Sequence, residues 1–180
     1  MQQARLTVML GLLSLSVLAD ETIPHLNQPI ELDGWFDEAI WQQAKTIAIY
    51  HITEPSDQGE AEVQTSVRVF ENGEYLYLAF DAQDPNPQQI RAAYRKRDNI
   101  WGDDIVGVKI DTYGNHRLAY QFFANALGSQ ADVIENVVTG DESSGWDGHW
   151  QAVGHITEQG YQVEVAIPLH IMNFPNIQGP

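Results

Sequence analysis

Residues 33–41 (DGWFDEAIW) set Asp33, Asp37 and Glu38 beside Trp35 and Trp41 in one short run. Carboxylates at such density can hold a divalent cation or serve as an acid/base pair. Asp81, Asp84, Asp98, Asp103, Asp104 and Asp111 extend the supply. Calcium takes six to eight oxygens, often from aspartates and carbonyls in loops. No run matches an EF-hand loop, so a cation site would assemble from distant segments. Glycoside hydrolysis needs two carboxyls flanking a cleft. Among 25 acidic residues such a pair carries no discrimination. Ser143 or Ser144 with His149 and Asp147 would make a triad on paper. They sit too close in sequence for a nucleophile elbow, and Gly-x-Ser-x-Gly is absent. The six histidines show no metal-binding spacing. His51, His116, His149 and His155 read as surface or hydrogen-bonded side chains.

Tryptophans mark the other candidates. Trp101 stands between the charged run Arg95-Lys96-Arg97-Asp98 and Gly102-Asp103-Asp104. So polar a loop leaves two readings open, a ligand contact or a loop anchor. Trp146 and Trp150 flank Asp147-Gly148-His149. Trp150 reads as an inward strand residue. Trp146 reads as a shield at the end of the fold or as a further ligand contact. Trp35 and Trp41 read as structural.

Composition narrows the partners. The formal charge of -16 opposes nucleic acid, which demands a basic patch, and opposes anionic membrane surfaces. Neutral ligands and divalent cations fit it. With no cysteine, the chain has no thiol nucleophile, zinc–thiolate site or disulfide, and must rely on its core or on bound metal.

The elements that would position these residues are mostly strands. Asp33-Gly34 signals a turn, Asp37 is the expected cap of a short helix, and Phe36, Ile40, Trp41 and Ala44 form its apolar stripe. Residues 63–70 and 75–80 alternate around an Asn72-Gly73 turn and read as a hairpin. Asp84-Pro85-Asn86-Pro87 breaks the chain before a possible helical turn at 88–93. Residues 104–111, 117–125, 131–138, 150–156 and 161–167 read as further strands, and 141–145 as a polar loop. The expected class is all-β: an antiparallel, immunoglobulin- or jelly-roll-like sandwich with one or two short helices.

Residues 1–19 read as a signal peptide, with Arg5, the apolar stretch 6–18 and a cut after Ala19. The expected domain is 20–180, exported to the periplasm, the outer membrane or the medium of a bacterium. The patterned stretch 168–174 runs close to the end of the sequence. It reads as part of a longer cell-envelope or polysaccharide-degrading protein.

The order of elements resembles the family 9 carbohydrate-binding modules. The resemblance rests on 30–41 (IELDGWFDEAIW) for I-D-G-x-x-D-E-x-x-W, and on Leu76-Tyr77-Leu78 in the hairpin. It continues through 98–111 (DNIWGDDIVGVKID), 120–125 and 161–168 (YQVEVAIP). It implies a calcium-bearing β-sandwich that binds oligo- or polysaccharide without catalysis. Aromatic planes cover the C–H faces of a pyranose while amides and carboxylates bond its edge hydroxyls. It places Trp101 as the first stacking tryptophan and Asp103 as a hydroxyl acceptor. Gln121, Asn125 and Trp146 are the remaining ligand candidates, and Asp81, Asp84 and Asp104 the candidate calcium ligands. Two positions depart from the pattern. The second stacking tryptophan would lie beyond Pro180, and a cationic sugar contact falls at Phe123. A sandwich with a decayed sugar site, serving as a structural or interaction domain of an outer-membrane protein, is the first alternative. A haem-binding electron-transfer sandwich, with Met, His or Lys as axial ligand, is the second; Met172, the one thioether left beyond the leader, lies in an apolar stretch and reads first as core.

Overall fold

The structure, a computed structural model, describes residues 22–52 and 59–175. The expected leader and the last five residues lie outside them. Nine strands follow one another: β1 Lys45–His51, β2 Glu60–Glu71, β3 Tyr75–Gln83, β4 Ile105–Ile110, β5 Leu118–Asn125, β6 Gln130–Asn136, β7 Asp141–Ser143, β8 Gln151–Thr157 and β9 Gly160–Pro168. They form a five-stranded sheet, β1-β2-β3-β9-β8, and a four-stranded sheet, β4-β5-β6-β7. Every pairing is antiparallel.

Strand alternation fills the space between the sheets. Val67, Val69, Leu78, Phe80, Val163 and Val165 face inward from the larger sheet. Val106, Tyr120, Phe122 and Ala124 meet them from the smaller one. Trp150 closes edge-on against Phe122, with ring centroids 5.5 Å apart and planes at 83°. The β2–β3 hairpin turns at Asn72, whose side-chain oxygen accepts from the backbone N–H of Glu74 and Tyr75 at 3.0 and 2.8 Å.

The larger sheet is covered on its outer face as well. Phe70, Tyr77, Ala79 and Ala166 bury a second cluster there beneath Ile40 and Trp41. The segment leading to Trp41 thus caps this sheet. Its helical content is one 3-10 turn, Ala39–Gln42. Ile40 and Trp41 are buried as the apolar stripe requires, with Phe36 and Ala44 packed at its margin. Asp37 does not cap this turn: Glu38 holds the N-cap position and makes no side-chain capping bond. Two other short 3-10 turns, Pro87–Gln89 and Leu169–Ile171, complete the helical content of the described residues.

Two strands differ from the sequence reading. β1 carries no clean alternation and was not expected. The polar stretch expected as a loop contains β7, which pairs with β6 through Glu135–Glu142 and its neighbours.

Candidate functional site

The long connection between β3 and β4 delivers Trp101 to the outer face of the four-stranded sheet. Ile100 anchors the connection, fully buried, and its carbonyl accepts from Asp103 N–H at 2.9 Å. That tight turn throws Trp101 outward, where 53% of it is exposed. The Trp101 ring stands edge-on to Phe123, with centroids 5.2 Å apart and planes at 70°. Phe123 lies across Gly107, its register partner on β4. A methyl group at 107 would collide with the Phe123 ring and come 2.9 Å from the Phe122 carbonyl oxygen. Glycine therefore sets the depth of this aromatic platform.

A polar knot holds the same connection down. Asp103 accepts from Arg95 Nη2 at 2.9 Å, Arg95 Nε at 3.2 Å and Asn125 Nδ2 at 2.9 Å. Asn125 also donates to the Ala93 carbonyl at 2.7 Å and accepts from Leu127 and Ser129 N–H. The Arg95 fork, then the Asn125 amide, hold the Asp103 carboxyl down to about 2. Both Asp103 oxygens are thereby committed. Arg95, with 46% of its side chain exposed, keeps Nη1 and other donor capacity for an incoming group. A cation thus stands beside Asn125, two residues along β5 from Phe123. It comes from the β3–β4 connection instead of from the strand position that holds Phe123.

Gln121 lies on the same face, two residues before Phe123. Its amide donates to the carboxylates of Glu135 and Glu142, and Lys109 pairs with Glu135 at 2.5 Å. The face therefore offers an exposed indole, a flat phenyl ring, a fixed guanidinium and a strip of amide and carboxylate groups. Such a surface can cover an apolar ring face and bond hydroxyls at its rim.

A family model described as carbohydrate family 9 binding domain-like matches residues 32–178. The chain belongs to this family. No curated protein matches it. Among solved structures, the family 9-like domain is similar to a protein of Bacteroides uniformis described as a candidate carbohydrate binder. Identity is 13%, with a TM-score of 0.57 over 72% of this chain and 62% of that one. It is also similar to a family 9 carbohydrate-binding module of Caldicellulosiruptor kristjanssonii in complex with cellotriose. Identity there is 14%, with a TM-score of 0.54 over 81% of this chain and 66% of that one. The chain thus spans slightly less than two thirds of the length of each of these structures.

In this family 9-like domain Trp101, Asp103, Gln121 and Asn125 lie on or against one face, and Trp146 does not join them. Trp146 is half-buried on the inner side, against Tyr120 at 5.2 Å and Phe122 at 5.8 Å. Met172 is buried in the core between the sheets. Arg95 was visible in sequence only as one member of a basic run. Nothing in that run marks which residue turns back to Asp103.

The calcium candidates Asp81, Asp84 and Asp104 do not form one ligand set. Asp81 faces outward from β3 and meets Gln162 at 3.4 Å. Asp84 and Asp104 lie near the Tyr161 hydroxyl and, after burial, help push it up to about 12. Among the described residues, the group that comes together is Asp98, Asp132 and Asp147, with one oxygen from each within 4.8 Å of the others. Asp132 is fully buried. Its Oδ2 accepts from Trp150 Nε1 at 2.6 Å, from Gly148 N–H at 3.1 Å and from Arg97, while Oδ1 has no hydrogen-bond partner. Burial raises its pKa against those donors. Asp98, at φ +65°, accepts from Asp132 N–H at 3.3 Å. Three carboxylates converge here, of which Arg97 pairs with Asp132, and the orphaned buried oxygen needs a partner. These residues fit an oxygen-seeking divalent cation.

Proposed function

We propose that this domain binds oligosaccharide, without catalysis, on the outer face of its four-stranded sheet. The observation that carries this reading is Trp101, half-exposed and edge-on to Phe123 beside an Arg95 that Asp103 holds in place. Trp101 covers the C–H face of one pyranose, and Arg95 donates to its hydroxyls. Gln121 and Glu142 extend the polar rim. Because the Caldicellulosiruptor module is in complex with cellotriose, β-linked gluco-oligosaccharides are the first ligands to test.

Calcium belongs to the same proposal, held by Asp98, Asp132 and Asp147. When bound it would tie the connection after Arg97 to β6 and to the Trp146–Trp150 segment. The leader-like residues 1–19 support export, and the domain would then act in the envelope or outside it, within a larger protein.

Calorimetric titration of the full chain with cellotriose, xylotriose, mannotriose and maltotriose, with calcium present, tests the sugar site. Binding that Trp101→Ala abolishes at the primary site is the expected result. Absence of any binding across the panel rejects it.

A further inference from the structure

Trp35 and Trp41 lie six residues apart and meet opposite fates. Trp41 is 1% exposed, whereas Trp35 is 45% exposed on the outer face of the five-stranded sheet. The family pattern I-D-G-x-x-D-E leaves position 35 open, so fold recognition does not ask for tryptophan there. Simple burial does not explain it either.

The ring is held in place. It stacks on His155 with centroids 4.6 Å apart and planes at 11°. His155 is fixed in turn by a 2.7 Å hydrogen bond between its Nε2 and the Asp33 carbonyl. Gly34 makes the arrangement possible. Its φ is +88°, and a Cβ there would lie 2.6 Å from the His155 ring. The Trp35 N–H donates to Asp33 Oδ1 at 2.9 Å and locks the turn. One face of the indole is thus covered by imidazole.

The same indole borders a groove of about 620 Å³ whose other walls are polar apart from Ile156. Asp81 and Gln162 are cross-strand partners on β3 and β9. Gln83, Gln88 and Gln159 come from the end of β3, the turn after it and the β8–β9 turn. The side chains of Gln83, Gln88 and Gln159 are exposed and make no hydrogen bond with the described residues. A preorganised aromatic plane beside uncommitted amides and the two carboxylates Asp81 and Glu158 fits a neutral polyol ring. The apolar face of such a ring stacks while its hydroxyls take both donors and acceptors.

We infer that the outer face of the five-stranded sheet carries a second carbohydrate site, centred on Trp35, that takes an uncharged pyranose unit. This inference rests on reading the domain as a carbohydrate binder. The two sites face away from each other across the sandwich, so one domain would hold two sugar chains at once. A particulate or multichain polysaccharide would then be bound with avidity.

The test is titration calorimetry of the full chain with the same four trisaccharides, on wild type, Trp101→Ala, Trp35→Ala and the double variant. Two sites are expected in wild type, one in each single variant and none in the double. The pair Gln83→Ala and Gln159→Ala, at exposed positions, should weaken the Trp35 site at least threefold and leave the Trp101 site unchanged. Near-ultraviolet circular dichroism checks that each variant is folded. If Trp101→Ala removes all binding and Trp35→Ala changes neither stoichiometry nor affinity, the second site is overturned and the first stands. If Trp35→Ala removes all binding and Trp101→Ala none, the first is overturned and the second stands. No binding in wild type overturns both.

Discussion

The indole nitrogen of Trp41 donates to the buried carboxyl of Glu164 at 3.0 Å, joining the capping segment to β9. Gly34 and Asp33 N–H donate to the other oxygen of Glu164 at 2.9 and 3.1 Å. Despite these donors, burial pushes the Glu164 pKa up from 4.5 to about 7, with help from the charge of Glu38. Glu38 Oε2 is itself buried without a partner. Folding therefore raises the proton affinity of Glu164. Its stabilising contribution is full below pH 4.5 and is lost as pH rises through about 7. The whole effect is on the order of 3 kcal/mol. Melting temperature should fall between pH 5 and pH 8, and Glu164→Gln should flatten that slope. An unchanged slope in the variant would assign the pH dependence elsewhere.

Gly107 sets where the Phe123 ring lies. Gly107→Val should lift that ring, tilt Trp101 and weaken oligosaccharide binding by about tenfold, a loss of roughly 1.4 kcal/mol. The clash with the Phe122 carbonyl oxygen, a backbone atom, should lower the melting temperature as well. Titration and a thermal melt on the same preparation check both parts.

In the proposed sugar site, Asp103 acts through Arg95. Its carboxyl is held down to about 2, so the contribution of the pair is present above pH 3.8 and lost as pH falls through about 2. Binding should therefore be level between pH 5 and pH 8 as far as this pair is concerned. Asp103→Ala leaves Arg95 unanchored and Asn125 without one acceptor, and should weaken binding about three- to tenfold. Arg95→Lys keeps the charge and loses the fork, and should reproduce most of that loss. A variant of Arg95 that binds like wild type would remove the guanidinium from the site.

Calcium should raise the melting temperature in a concentration-dependent way. At 100 times its dissociation constant the folded state gains about 3 kcal/mol. Asp147→Asn removes one carboxylate charge from the exposed side of the proposed site and should reduce the calcium-dependent gain. Magnesium, which prefers to keep its waters, should do less. Scanning calorimetry with calcium, magnesium and chelator reads all three.

The strands with a clean period of two were legible from sequence. In β5, Tyr120, Phe122 and Ala124 point inward as their spacing requires. β1 was not, because Ile47 and Ile49 on one side and Ala48 and Tyr50 on the other give no polar contrast. As an edge strand it leaves both isoleucines about 40% exposed. β7 has the acidic sequence Asp-Glu-Ser and exists through its pairing with β6. At the candidate site, the polar flanks of Trp101 drew attention to it. The roles of Asp103 and Asn125 as a knot depend on Arg95 turning back, which no local period encodes. The group Asp98, Asp132 and Asp147 draws one residue from each of three separate segments, so spacing alone could not collect it.

The bonds from Asp33 and Gly34 to Glu164 span 131 and 130 residues of chain. β3, at the centre of the larger sheet, also waits for β9, with Tyr75 paired to Pro168. On a ribosome, the capping segment is made early and finds its partner only after β9 has been made. Until then Trp41 has no acceptor and β3 has an open side. Such long-range closure slows folding, and it makes the ninth strand the event that commits the whole larger sheet.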